Sequence, residues 1–226
     1  LAIDPESASA HVNRGNALVA KGEADAAIEH YRHALRSHPV FFDAEENLGL
    51  VLDRLGRHDE AIAHFRRALE LRPEDPAVHL GLGIALSATG AFDEAVARFH
   101  EALRLKPEYP EAYNALAIAL AGRGRTAEAI ERYEQALRLR PDYAEALNNL
   151  GLALATMKRL PEAIERFEQA LRVNPDFAQA HNDLGVAYAQ TNRVREAIAE
   201  FEQAVRIDPG FEQAKRNLRS LTEGRH

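Results

Sequence analysis

Apolar, small and proline residues recur along this chain with a fixed spacing of 34 residues. The prolines stand at positions 5, 39, 73, 107, 141, 175 and 209. The aromatic column consists of Tyr31, Phe65, Phe99, Tyr133, Phe167 and Phe201, and alanine columns that begin at Ala27 and Ala34 flank it. Within each repeat of 34 residues, positions 1–14 and 18–31 carry apolar residues at helical spacing. Each repeat is therefore predicted to fold as a pair of helices.

The repeat accounts for the whole chain. Counting repeat position 1 from Ala8 gives six full repeats, at 8–41, 42–75, 76–109, 110–143, 144–177 and 178–211. Residues 1–7 then correspond to the tail of a preceding repeat, and 212–226 to a C-terminal capping helix and its tail. The sequence therefore predicts one repeat domain over 1–226. A start at Leu1 instead of Met suggests a fragment, so we expect the truncated N-terminal repeat to expose apolar surface suited to end-to-end self-association.

Small residues are placed where a helix pair needs them. Gly22, Gly56, Gly90 and Gly124 stand between the two helices of their repeats, where a short turn needs positive φ. Lys158 and Asn192 replace them in repeats five and six; Asn tolerates that conformation, whereas Lys158 is strained or uses another turn. Glycine at position 8 and alanine at positions 20 and 27 are predicted to let the paired helices approach, with the aromatic residue at position 24 filling the space between repeats.

These columns resemble the tetratricopeptide repeat family. Repeat five carries the family pattern with Leu147, Leu150, Gly151, Leu154, Ala163, Phe167, Ala170 and Pro175. The resemblance implies an all-α fold: an α-solenoid, wound as a right-handed superhelix, of six 34-residue helix-turn-helix repeats plus a C-terminal capping helix. It also implies that the first helices line a concave groove while the second helices face outward.

Composition and charge narrow the functional classes. Of the 226 residues, 46% are hydrophobic and 28% are charged, which is typical of a folded soluble protein. The net charge of −7 argues against a nucleic-acid partner, and the absence of Cys excludes a disulfide, a zinc-thiolate site or a thiol nucleophile. The longest apolar run, 115–121, is too short for a membrane span. We expect a cytoplasmic protein, with a periplasmic or membrane-tethered place in a longer parent left open.

No catalytic or metal-binding motif is visible in the sequence. The chain has ten His residues but no H-E-x-x-H motif, no glycine-rich phosphate loop and no G-x-S-x-G elbow. His11, His79 and His181 share repeat position 4, where the resembled family has a large packing residue. We therefore interpret the histidines as packing or surface residues, and predict no enzymatic activity, no cofactor and no metal site.

The predicted groove is lined by first-helix positions 2, 5, 6, 9, 12 and 13, which carry many carboxamide and aliphatic side chains. Asparagine offers both a donor and an acceptor to a peptide unit. At position 6, asparagine resembles the ladder in the repeat domain of O-linked N-acetylglucosamine transferases, although Gly81, Ala115 and Asp183 interrupt it. The candidate peptide-binding residues are Asn13, Asn47, Leu50, Leu80, Ile84, Asn114, Ile118, Asn148, Asn149, Leu152 and Asn182.

These features predict a non-catalytic protein–protein interaction scaffold that binds an extended or helical peptide in its concave groove. The groove positions carry six acidic residues and only two arginines, so a neutral or basic ligand is favoured over an acidic one. Two alternatives stay open. The first is that the chain is the substrate-recognition arm of a larger enzyme, such as a bacterial glycosyltransferase like the O-linked N-acetylglucosamine type, and the second is that it is a self-assembling scaffold.

Overall fold

A computed structural model describes the backbone of residues 5–223 and the side chains of residues 8–223. Over this part of the chain it contains thirteen α-helices and no strand. In chain order they are α1 (Pro5–Ala20), α2 (Ala24–Ser37), α3 (Phe42–Arg54), α4 (His58–Leu71), α5 (Pro76–Ala88), α6 (Phe92–Leu105), α7 (Pro110–Gly122), α8 (Thr126–Leu139), α9 (Ala144–Thr156), α10 (Leu160–Val173), α11 (Ala178–Gln190), α12 (Val194–Ile207) and α13 (Glu212–Glu223).

The helices form two compact units. Helices α1–α6 belong to the first unit, within residues 1–108, and α7–α13 belong to the second, within 109–226. In each unit the two helices of a repeat pack on each other, and the second helix also contacts the first helix of the next pair. This consecutive packing is that of an all-α helical repeat solenoid and confirms the predicted fold class.

The glycine at position 8 lies directly under the aromatic ring of its own repeat. A Cβ atom added to Gly151 would come within 2.5 Å of Phe167 Cε1, and one added to Gly49 within 2.8 Å of Phe65 Cε1. Phe65 and Phe167 are almost completely buried. The prediction that small residues let the paired helices approach is therefore confirmed at Gly49 and Gly151, where an added Cβ would overlap the ring; repeat four has Ala117 at this position.

The turn between the paired helices has the same conformation with or without glycine. The four glycines at this turn have φ between 74° and 83°, while Lys158 and Asn192 have φ of 60° and 62°. The Arg159 N–H donates to the Leu154 carbonyl at 2.9 Å, as the Arg57 N–H donates to the Leu52 carbonyl at 2.9 Å in repeat two. Lys158 thus adopts the left-handed conformation and does not use another turn.

The first and last helices of the chain extend beyond the six predicted repeats. Helix α1 begins at Pro5, three residues before the first predicted repeat, and proline suits the first turn of a helix. Residues 1–4 of the predicted preceding tail, and with them most of the N-terminal segment expected to associate, lie outside the described residues. At the other end α13 packs on α12 with Ala214 fully buried.

Candidate functional site

Four aliphatic side chains at repeat position 9 are exposed on the first helices. They form what we call the position-9 column, which consists of Leu50 and Ile84 in the first unit and Ile118 and Leu152 in the second, each 39–45% exposed. Helix packing leaves these side chains partly exposed to solvent, so they are accessible to a partner. Leu80, predicted for the same role, is only 8% exposed and belongs to the core.

The predicted carboxamides divide into two groups. Asn13 is exposed, and Asn47 and Asn149 are half-buried, whereas Asn114, Asn148 and Asn182 at position 5 are buried. A residue at position 5 is covered because the first helix of the following repeat lies over it. The structure therefore places half of the predicted asparagines inside the helix stack.

The buried asparagines of the second unit hydrogen-bond to the next repeat. Across each repeat junction a position-5 residue meets a position-6 residue 35 positions later, and we call these contacts the polar ladder. Asn149 Nδ2 donates to Asn114 Oδ1 at 3.2 Å, Asn148 Nδ2 to Asp183 Oδ2 at 3.0 Å, and Asn217 Nδ2 to Asn182 Oδ1 at 2.8 Å. Of the position-6 asparagines that suggested a peptide-binding ladder, Asn149 and Asn217 thus bond to the preceding repeat, and the resemblance to the transferase ladder stays a prediction.

Asp183 lies at the centre of the polar ladder. Its Oδ1 accepts hydrogen bonds from Gln179 and Asn182 at 2.9 and 3.2 Å, in addition to the bond from Asn148 to Oδ2. Burial raises the pKa of the Asp183 carboxyl, and the three amide donors only partly offset that shift. The Oδ1 atom of Asn148 is itself buried and has no partner among the described residues.

The first unit contains a small pocket between repeats one and two. It has a volume of about 230 Å³ and brings together Asn47 and Leu50, both predicted ligand residues, with Asn16, Val19, Tyr31, Val51 and Arg54. The Tyr31 hydroxyl donates to Asn16 Oδ1 at 2.7 Å. This pocket therefore contains one aliphatic wall, a satisfied polar pair and a guanidinium group at its edge.

A second pocket lies between repeats four and five of the second unit. It has a volume of about 290 Å³ and brings together the predicted residues Ile118, Asn149 and Leu152. Its other lining residues are Ala121, Thr126, Tyr133, Ala153 and Thr156, so no charged side chain contributes to it. Tyr133 was not among the binding residues predicted from the sequence. A signal existed, because position 24 is tyrosine in this repeat and phenylalanine in four others.

Several histidines link the two helices of one repeat. His64 Nδ1 lies 2.5 Å from Glu45 Oε2, and His181 Nδ1 lies 2.6 Å from Glu200 Oε2, in both cases 19 residues apart. Burial lowers the pKa of His181, but its hydrogen bonds to Glu200 and to the Pro175 carbonyl outweigh burial, so the pKa lies above its ordinary value. Both contacts join the paired helices of a repeat, and the contact of His181 agrees with the packing role inferred from position 4.

Within residues 5–223, no cluster of three or more His, Asp or Glu side chains has an arrangement that could hold a metal ion. No helix in this part of the chain combines the length and apolar character needed to cross a membrane. Neither result indicates a chemical site.

Comparisons with known proteins point to one family. A family model described as the cilia and flagella-associated protein 70 C-terminal domain, a tetratricopeptide repeat domain, matches residues 3–219. A search of curated proteins found no match.

Solved structures share the fold. The crystal structure of the APC/C hetero-tetramer Cut9–Hcn1 is similar at 21% identity and a TM-score of 0.86, over 96% of this chain but only 43% of the other. A protein from Thermus thermophilus, described as a thermophilic tetratricopeptide repeat protein, is similar at 25% identity and a TM-score of 0.70, over 80% of this chain and 98% of its own. YrrB, whose structure is described as having an unusual peptide-binding site, is similar at 24% identity and a TM-score of 0.59, over 82% of this chain and 96% of its own.

Proposed function

The chain belongs to the tetratricopeptide repeat family, and on that premise we propose that it is a non-catalytic scaffold that holds an extended or helical peptide against its first helices. Tetratricopeptide repeats are generally a protein-interaction fold, and YrrB provides a relative in shape with a peptide-binding site. Repeat arrays present such surfaces because the side chains on one face are not needed for stacking.

The position-9 column is the observation that carries the proposal. Leu50, Ile84, Ile118 and Leu152 keep a large aliphatic side chain exposed at the same position of consecutive repeats. Stacking alone does not require an aliphatic side chain there, since Asn16 occupies position 9 of repeat one. Each unit thus presents two such side chains on neighbouring repeats, and a cluster of exposed apolar side chains is a common mark of a protein interface.

The charge around the column favours a neutral or basic partner. Asp53 lies 2.7 Å from His58, Asp43 lies 3.7 Å from Arg72, and Glu111 pairs with Arg140. Glu145 is exposed beside the second-unit part of the column. These acidic side chains would repel an acidic ligand, which disfavours its binding.

A peptide selection tests the proposal. Peptides enriched from a random display library on the immobilised chain should bind about tenfold more weakly to the Leu50→Gln/Leu152→Gln variant, because central apolar anchors carry most of the binding energy. The matched control is Leu71→Gln/Leu139→Gln, which changes equally exposed leucines at the ends of second helices. Equal binding by both variants and the wild type would contradict the proposal.

A further inference from the structure

Two of the six aromatic residues at position 24 carry a hydroxyl that ring packing does not need. Phe65, Phe99, Phe167 and Phe201 occupy this position in four repeats and are almost completely buried there. Tyr31 and Tyr133 occupy it in repeats one and four, and their rings are buried to the same degree. The hydroxyl of each tyrosine therefore requires an explanation beyond the stacking of helices.

The Tyr31 hydroxyl has a partner within the chain. It donates to Asn16, which stands at position 9 of the same repeat, at 2.7 Å. In repeat four position 9 is Ile118, which has no polar atom to offer. Among the described residues, the Tyr133 hydroxyl makes no hydrogen bond, and burial is the only cause that raises the pKa of Tyr133.

The Tyr133 hydroxyl is reachable from a pocket on the first helices. Tyr133 is 3% exposed as a whole residue, but its hydroxyl is not among the fully buried side-chain polar atoms that lack a partner, so the hydroxyl opens into a pocket. Its side chain lines the 290 Å³ pocket between repeats four and five, where the exposed Ile118 and Leu152 are also found. A hydroxyl that opens into an uncharged pocket and has no internal acceptor is placed to donate a hydrogen bond to a bound molecule.

The pocket lining limits what can bind. Its polar groups are Tyr133, Thr126, Thr156 and Asn149, all uncharged, and its remaining members are small or aliphatic. The Asn149 nitrogen is already engaged by Asn114, and the Thr156 hydroxyl by the Leu152 carbonyl. A charged side chain entering this pocket would be desolvated without a counter-charge, so a neutral apolar side chain is favoured.

We propose that this pocket, the Tyr133 pocket, is a specificity subsite that takes one uncharged aliphatic or aromatic side chain of a partner peptide. The peptide side chain lies between Ile118 and Leu152, and a main-chain carbonyl of the peptide accepts a hydrogen bond from the Tyr133 hydroxyl. The proposal rests on the proposed function, because it names which feature of a peptide one part of the first-helix surface selects.

The test uses peptides enriched from a random display library on the full chain, with dissociation constants measured by titration calorimetry. Enriched peptides should share one uncharged apolar residue. Their affinity should fall about 2–10-fold for Tyr133→Phe, as expected for one hydrogen bond. Ile118→Asn should weaken binding further, because it removes an apolar wall and offers Tyr133 the internal partner that Asn16 gives Tyr31.

Two controls separate an effect of the pocket hydroxyl from an effect on folding. Tyr133→Phe is expected to fold, since phenylalanine occupies this position in four other repeats, and its thermal midpoint should equal or exceed that of the wild type. Tyr188→Phe removes a hydroxyl that donates to Glu168 Oε1 at 2.9 Å, outside the pocket. It should leave peptide affinity unchanged.

The possible failures are distinguishable. If Leu152→Gln weakens binding while Tyr133→Phe and Ile118→Asn bind as the wild type does, the Tyr133 pocket is refuted and the proposed scaffold function stands. If none of the three variants weakens binding, or if no peptide is enriched at all, both proposals are overturned. Weakening by Tyr188→Phe equal to that by Tyr133→Phe would also refute a specific role for the pocket.

Discussion

Replacing Asn148 by alanine tests whether this asparagine is part of the helix stack or of a peptide-binding surface. Asn148 is 2% exposed and donates through Nδ2 to Asp183 Oδ2 at 3.0 Å, which joins repeat five to repeat six. Asp183 is 7% exposed and depends on amide donors to keep its charge. We therefore expect Asn148→Ala to destabilise the second unit.

The magnitude follows from three contributions. Losing a hydrogen bond to a charged group costs about 1.5–3 kcal/mol. Removal of the side chain also leaves a small gap, which adds to the loss. The variant gains back about 1 kcal/mol because the unpartnered Oδ1 atom of Asn148 disappears with the side chain. The expected net destabilisation is about 1–2 kcal/mol at neutral pH.

Urea unfolding measures the total effect, and native-state hydrogen exchange locates it. Protection should fall first in α9 and α11, because the repeats of such arrays couple mainly to their neighbours. The matched control is Asn13→Ala, which changes an exposed asparagine that was assigned the same role from the sequence. Its effect should stay within about 0.5 kcal/mol.

The pH dependence supplies an independent check. The Asn148 hydrogen bond favours the ionised carboxyl of Asp183, so the difference between wild type and Asn148→Ala should be largest above the raised pKa of Asp183 and shrink as the pH falls through it. A variant as stable as Asn13→Ala, or a loss that is the same at acid and neutral pH, would refute the assigned role.

Three further changes have expected outcomes. Lys158→Gly should raise the free energy of unfolding by up to about 1 kcal/mol in urea titrations, because glycine relieves a positive φ but loses more entropy on folding. Gly151→Ala should cost about 1–3 kcal/mol of overpacking against Phe167, partly offset by about 1 kcal/mol of helix propensity, and a raised urea midpoint would contradict it. The raised pKa of His181 means that its pairing with Glu200 stabilises fully below the unfolded pKa and loses that contribution as pH rises through the folded pKa; Glu200→Gln should therefore lower the urea midpoint more at pH 6 than at pH 9.

The fold was predictable because its causes are local and repeated. The helix pairs follow from apolar spacing within 34 residues, and the close approach at Gly151 follows from the size of Phe167. Even Lys158 adopts the expected turn, since the bond from the Arg159 N–H to the Leu154 carbonyl closes it in the same way as in the glycine-containing repeats. The surrounding packing therefore outweighs the conformational preference of one residue.

The candidate site was less predictable because it depends on how closely one repeat lies against the next. The sequence indicates that Asn148 lies on a first helix, but not that the following repeat covers it. A usable signal did exist. Polar residues stand 35 positions apart at 114 and 149, at 148 and 183, and at 182 and 217, one more than the repeat length. A spacing one residue longer than the repeat pairs adjacent helical positions across a junction.

The repeats also serve as internal controls for function. Residues in one column share nearly the same backbone setting, so a difference between them that packing does not explain points to something outside the stack. Tyr31 and Asn16 differ from the other repeats together and satisfy each other at 2.7 Å. Tyr133 differs alone, because Ile118 offers its hydroxyl nothing. Packing therefore does not explain this hydroxyl, which opens into the Tyr133 pocket, whereas the main-chain carbonyl of the proposed peptide would accept its hydrogen bond.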